Sequence, residues 1–180
     1  MYFILFNTLN LWLSVGGLLL LCITTGLLVD YSFYQSEYFK RYLKQYAWPI
    51  IMLTTTGSVV ISLIYSEYFG FIPCSLCWLQ RIAIYPQALL SVIAFKVKDT
   101  VFFPLYGIAL STFGLLVSLY QYIYQLLPKE TTAGLIPCLA DGSADCAAKV
   151  INEFGFVTFP LLSAITFAFL IIMYLNIRRG

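Results

Sequence analysis

Five long runs of apolar residues constrain this chain more than any other feature of its sequence. They lie at about 9–29, 47–66, 76–95, 101–123 and 157–176. A bilayer core requires about 20 apolar residues in each helix that crosses it. Only 10% of the 180 residues are charged, which is too few to cover a soluble domain. Because helices satisfy their backbone groups within one segment, the sequence predicts an all-α integral membrane protein with five transmembrane helices.

The basic residues are divided unevenly between the two sides that five alternating helices would define. Seven lie on one side: Lys40, Arg41, Lys44, Lys96, Lys98, Arg178 and Arg179. Only Lys129 and Lys149 lie in loops on the other side. Since Lys and Arg are enriched in cytoplasmic loops, we expect an external N-terminus, a cytoplasmic C-terminus and an external loop over 124–156.

The N-terminal 46 residues are predicted to form one transmembrane helix followed by a cytoplasmic interfacial segment. Residues 1–8 contain no Lys or Arg, so the basic region of a signal peptide is missing and we expect a retained helix. Four tyrosines, each four residues from the next between 34 and 46, predict a helix lying in the interface. Within the external loop, the pattern over 147–154 predicts a short amphipathic helix on the membrane surface.

Residues with chemical potential gather at the start of the third apolar run, in the stretch PCSLCWLQR at 73–81. Cys74, Cys77 and Arg81 are spaced three and four residues apart, which places them on one side of a helix. The positive end of the helix dipole and the guanidinium would both stabilise a thiolate at Cys77, the reactive form of the side chain. Arg81 is the one Lys or Arg within an apolar run, and a charge in that environment suggests a function.

Four of the five cysteines fall on the external side, as the pairs Cys74/Cys77 and Cys138/Cys146, whereas Cys22 lies within the first run. Three interpretations compete. Structural disulfides are permitted outside the cytoplasm, but a CxxC bond is strained and easily reduced. Four thiolates could bind zinc or copper(I), but the chain has no histidine and a nearby arginine would oppose a cation. The pattern favours the third interpretation, a dithiol relay in which one pair passes electrons to the other.

A relay requires an electron acceptor, and the sequence has no nucleotide-binding, haem-binding or flavin-binding signature. An apolar acceptor dissolved in the membrane could reach the mouth of the third helix from the lipid side. A quinone meets this requirement, because its ring could stack near Cys77 and its carbonyl oxygen could accept a hydrogen bond from Arg81. We expect no metal ion and no nucleic-acid partner.

The motif Pro73-Cys74-x-x-Cys77-Trp78-x-Gln80-Arg81, followed by Tyr85-Pro86, resembles the DsbB family of disulfide bond formation proteins. The similarity extends over about 47–176 and is greatest to the shorter, BdbC-like branch. It implies a four-helix bundle in the bacterial plasma membrane over 47–176, with a catalytic external loop at 124–156 and a cytoplasmic tail at 177–180. The implied activity is reoxidation of an extracytoplasmic DsbA-like thioredoxin-fold oxidase, with electrons passed to ubiquinone or menaquinone.

The resemblance also implies a role for each of five residues. Cys74 and Cys77 are the pair near the quinone, Cys77 contacts it and Arg81 binds it. Cys138 and Cys146 are the loop pair: the partner's thiol attacks Cys138, and Cys146 exchanges with Cys74. The short gap between the loop cysteines and the additional first helix depart from the family plan. Two alternatives stay open: a vitamin K epoxide reductase-like quinone reductase, and a non-catalytic membrane protein that binds metal through its thiols.

Overall fold

The structure is a computed structural model that describes residues 2–34, 37–97, 99–127, 146 and 149–179. In these ranges the chain forms five long helices and no regular strand: α1 Tyr2–Val29, α2 Glu37–Leu63, α3 Ser75–Val97, α4 Phe102–Leu126 and α5 Phe159–Arg179. One turn of π-helix extends α1 over Asp30–Tyr34, and another extends α2 over Ile64–Tyr68. All five helices are long and apolar enough to cross a membrane. The predicted all-α membrane fold with five spans is therefore confirmed.

The tightest helix pair is α4 with α5, and glycines make the close approach possible. Gly107 and Gly114 lie seven residues apart on α4, and a Cβ atom on either would collide with an aromatic ring of α5, that of Tyr174 or Phe167. Apolar burial does not drive helices together in lipid, so close packing of this kind has a large part in holding them. Helix α5 supplies more of the buried core than any other helix, and it packs against α1, α2 and α4.

Helices α2 and α3 are neighbours, as the short connection between them predicts. The Oγ atoms of Thr55 and Ser91 lie 3.3 Å apart in the buried interface between them. The small, hydroxylated residues of the second span thus contact the third helix, in agreement with the expectation for helix packing in lipid.

Helix α1 packs on α5 and is held at both of its ends. Near its start, the Tyr65 hydroxyl at the end of α2 donates a hydrogen bond to Asn10 Oδ1. Near its end, Arg179 Nη1 donates to the carbonyl oxygen of Tyr31 at 3.0 Å, and the guanidinium lies 3.5 Å from the centre of the Tyr31 ring. The added helix is therefore an integral part of the bundle.

Two local expectations differ from the structure. The described part of the predicted interfacial segment that follows residue 36 is helical, but it is not separate from the second span, because α2 runs without a break from Glu37 to Leu63. The short helix predicted over 147–154 is wrong for the described part, 149–154. There Glu153 and Val157 exchange two backbone hydrogen bonds of 3.2 and 3.0 Å. The turn between them has positive φ angles at Phe154 (54°) and Gly155 (79°), and this conformation is incompatible with a helix.

Candidate functional site

The CxxC motif lies at the start of α3. Cys74 immediately precedes the helix and Cys77 is in its first turn, since the Trp78 N–H donates to the Cys74 carbonyl at 3.0 Å. Both thiols are free, and their sulfur atoms lie 2.8 Å apart. The Cys77 N–H also donates to Cys74 Sγ at 3.4 Å. A disulfide bond is about 2.05 Å long, so only a small movement separates this dithiol from its oxidised form.

The two thiols differ in their surroundings. Cys74 is buried, with 6% of its surface exposed, whereas Cys77 is partly exposed and lines a cavity. The side-chain hydrogen bond that Cys74 shares with Cys77, followed by burial and by the charge that Cys77 can carry, raises the pKa of the Cys74 thiol. The raised pKa favours the protonated thiol at Cys74, and either sulfur can be the donor in the contact between the two thiols.

A glutamine from α4 contacts both sulfurs. Gln121 Nε2 lies 3.4 Å from Cys74 Sγ and 3.6 Å from Cys77 Sγ. Its Oε1 accepts a hydrogen bond of 2.7 Å from Gln80 Nε2. Sequence reasoning did not identify Gln121 as a site residue, although an amide within the fourth apolar run was a signal that could have been used.

Arg81 projects from the same face of α3 and is fixed by α2. Its Nε donates to Ser62 Oγ at 2.9 Å, and its Nη2 donates to the Ser62 carbonyl oxygen at 3.0 Å. The guanidinium also lies 5.1 Å from the centre of the Trp78 ring, a cation–π distance. The π-turn of α2 begins two residues after Ser62, and such turns are frequent at functional sites.

A cavity of about 430 Å³ lies beside Cys77 and Arg81. At the end nearest the CxxC motif, Ser62, Gln80 and Gln121 join these two residues in its lining. From there it extends between α1, α2 and α5, along mainly apolar side chains. The volume is within the range of small-molecule sites, and an apolar wall with a few convergent polar groups is typical of them.

The other predicted site residues are placed as follows. Cys146 is disulfide-bonded and 1% exposed, and it forms a buried cluster with Cys74 and Leu76. Its sulfur lies 3.9 Å from Ser75 Oγ. Cys138 lies outside the described residues. Cys22 is a free, exposed thiol on α1, away from the cavity. Among the described residues, no group of three or more His, Cys, Asp or Glu side chains could hold a metal ion.

Comparison with known proteins gives one family and several relatives. The family model described as "Disulfide bond formation protein DsbB" matches residues 44–177. The chain is 36% identical over 132 residues to a "Probable disulfide formation protein" of Oceanobacillus iheyensis, which covers 73% of this chain and 86% of that protein. It is 35% identical over 134 residues to "Disulfide bond formation protein C" of Bacillus subtilis, covering 74% and 90%. A "Probable disulfide formation protein C" of Halalkalibacterium halodurans is 39% identical over 127 residues, covering 71% and 89%. No solved structure matches.

Proposed function

This chain belongs to the DsbB family of disulfide bond formation proteins, as its motif predicted, and on that premise we propose that it is a membrane thiol:quinone oxidoreductase. It takes electrons from an extracytoplasmic, DsbA-like thioredoxin-fold oxidase and passes them to a membrane quinone, either ubiquinone or menaquinone. One observation carries the proposal. Cys77 and Arg81 line the same largely apolar cavity, while the buried Cys74 joins Cys77 to the cluster that contains Cys146.

The residues around the cavity suit a quinone. The ring and tail of a quinone are apolar, as most of the cavity lining is. Its carbonyl oxygens need hydrogen-bond donors at the end of the cavity where the ring would lie. Among the described residues, Ser62 accepts hydrogen bonds from two N–H groups of Arg81. An arginine side chain has five such groups. The guanidinium thus retains donors for a carbonyl oxygen, and its fixed charge would stabilise negative charge that develops there. When bound, the quinone supplies the two-electron acceptor.

The loop disulfide is the proposed entry point for electrons. Cys22, Cys74 and Cys77 are free and Cys146 is bonded, so we assign Cys138 as its partner. A thiolate of the partner oxidase attacks Cys138 and displaces Cys146 as a thiolate. Cys146 then attacks Cys74 of the oxidised CxxC pair and displaces Cys77 as a thiolate. The second thiol of the oxidase releases Cys138, and the oxidase departs with its own disulfide.

The remaining exchange restores the loop disulfide and leaves the CxxC pair reduced. Cys138 attacks Cys146 of the Cys74–Cys146 bond, so that Cys74 is released and takes up a proton. The Cys74–Cys77 bond then reforms as the pair gives up two electrons to the acceptor. Quinol formation requires two protons. One comes from the Cys74 thiol, and the other comes from water, to which the oxidase released one proton when its thiolate formed. The arrangement of basic residues supports an orientation in which both cysteine pairs lie outside the cytoplasm.

The test is thiol-dependent quinone reduction by the purified protein, with a reduced thioredoxin-fold oxidase as the donor and quinol formation as the readout. Cys77→Ser should abolish turnover, whereas Cys22→Ser is a matched control on α1 and should retain it. Arg81→Ala should raise the KM for quinone while both disulfides still form. Turnover by Cys77→Ser at the unmodified rate would refute the scheme, and an unchanged KM in Arg81→Ala would remove Arg81 from the site.

A further inference from the structure

We propose that α1 and α2 form a lipid-facing cleft that receives the polyprenyl tail of the quinone, with Gly16 and Gly57 on its two walls. This inference rests on the proposed quinone site, because the cleft is the inner continuation of the cavity that contains Cys77 and Arg81. It gives a function to α1, which lies outside the residues that match the family, 44–177.

The first support is that α1 is a fixed wall. Asn10 binds Tyr65 at one end and Tyr31 binds Arg179 at the other. Between them, Gly17 lies so close to Leu162 of α5 that an added Cβ atom would collide with that side chain. A helix held at three points along its length can define the shape of a binding site.

The second support is the length of the cavity. Its lining extends from Trp12 to Leu20 on α1 and from Leu53 to Ser66 on α2. At about 1.5 Å per residue these stretches are roughly 12 and 20 Å long. A six-membered ring in contact with Cys77 would occupy only the end nearest the CxxC motif. The remaining length runs along α1 and α2 and requires a long, narrow occupant.

The third support is the chemistry of this inner part. Leucines of three helices line it: Leu13 and Leu20 from α1, Leu53 from α2 and Leu162 from α5. Trp12 is 72% exposed and Leu53 is 76% exposed, so the cleft is open to lipid between them. A hydrocarbon chain attached to the ring could enter there without losing its apolar surroundings.

The glycines make the inference testable. A Cβ atom placed on Gly16 or Gly57 would have no atom within 4 Å, and both residues line the cavity. A larger side chain at either position would therefore occupy open cleft rather than displace the protein. Gly26 is a matched control on α1, because it also has nothing within 4 Å but is not part of the lining.

The experiment compares two quinones with the same ring in the full-length protein, one with a long polyprenyl tail and one without a tail. Gly16→Leu and Gly57→Leu should raise the KM for the long-tailed quinone about tenfold, equivalent to ~1.4 kcal/mol. The KM and kcat for the tail-less quinone should not change, which also shows that the variants fold. Gly26→Leu should behave as the unmodified protein with both quinones. Leucine favours helix more than glycine, so the changes do not weaken the helices.

Two results would overturn the cleft. One is an unchanged KM for the long-tailed quinone, and the other is an equal rise for both quinones, which would mean that the side chains disturb the ring site. A quinone with a photoreactive group in its tail gives a readout independent of turnover. It should label α1 in the unmodified protein, and long-tailed quinone should compete. Labelling of α1 that only a phospholipid displaces would identify the cleft as a site for lipid acyl chains and refute the inference. Failure of the unmodified protein to reduce any quinone would instead count against the proposed function.

Discussion

Replacing Gln121 should slow electron transfer more than replacing its hydrogen-bond partner Gln80. Gln121 Nε2 contacts both sulfurs of the CxxC pair, at 3.4 and 3.6 Å, and Gln80 donates to its Oε1 at 2.7 Å. Methionine has nearly the shape of glutamine but lacks the amide. Gln121→Met and Gln80→Met therefore both remove the bond between the two amides, but only Gln121→Met removes the contacts with sulfur.

The expected magnitudes follow from this difference. Loss of the amide–amide bond should cost each variant about 1 kcal/mol of unfolding free energy. The sulfur contacts are long, so together they should be near the lower end for hydrogen bonds to a charged acceptor, about 1.5 kcal/mol. If they act on the thiolate that transfers electrons, Gln121→Met should lower kcat about tenfold relative to Gln80→Met.

The assay is steady-state quinone reduction at saturating quinone, together with the rate at which iodoacetamide alkylates the reduced pair. If Gln121 had only a structural role, Gln121→Met and Gln80→Met would have the same kcat and the same alkylation rate. We expect Gln121→Met to change the alkylation rate and Gln80→Met to leave it nearly unaltered. Equal kcat and equal alkylation in the two variants would show that the sulfur contacts have no part in the chemistry.

Two further predictions concern stability. Asp99 accepts hydrogen bonds from three backbone N–H groups at the start of α4; desolvation raises the pKa of its carboxyl group, but these donors outweigh it and hold that pKa below the usual range. Asp99→Ala should therefore lower the unfolding free energy by about 1 kcal/mol at pH 7, measured by thermal unfolding. A carboxylate with a lowered pKa stabilises the fold only above that pKa, so the difference between the two proteins should vanish as pH falls below it. A difference that persists at low pH would contradict this explanation. Gly114→Ala should lower the unfolding free energy by about 1–3 kcal/mol, because the new methyl group collides with the Phe167 ring. Adding Phe167→Leu should restore part of this loss in the double variant. Additive losses of unfolding free energy would exclude that contact as the cause.

The sequence was sufficient to predict the number and type of spans and the placement of the motif at a helix start. Both depend on local properties, hydropathy and spacing, that need no knowledge of the fold. Gln121 was missed because its contacts with Cys74 and Cys77 join residues 47 and 44 positions apart. The helix expected over 147–154 was wrong in its described part because a β-bridge closes a turn there. The role of α1 in lining the cavity is likewise a property of packing, which no single segment reveals.

Two of the polar clusters formed by described residues of the membrane part differ in their relation to the cavity. In the inner cluster, Gln87 is fully buried: its Oε1 accepts from Ser111 at 3.0 Å and from Tyr174 at 2.9 Å, and its Nε2 donates to the Ala83 carbonyl at 2.9 Å. These partners join three helices, and Gln87 is not part of the cavity lining. Its polarity is thus used in packing. The outer cluster includes Arg81 and opens on the cavity. An amide in an apolar run therefore indicates function only when it faces space that a ligand can occupy, because a closed network has already satisfied its polar groups.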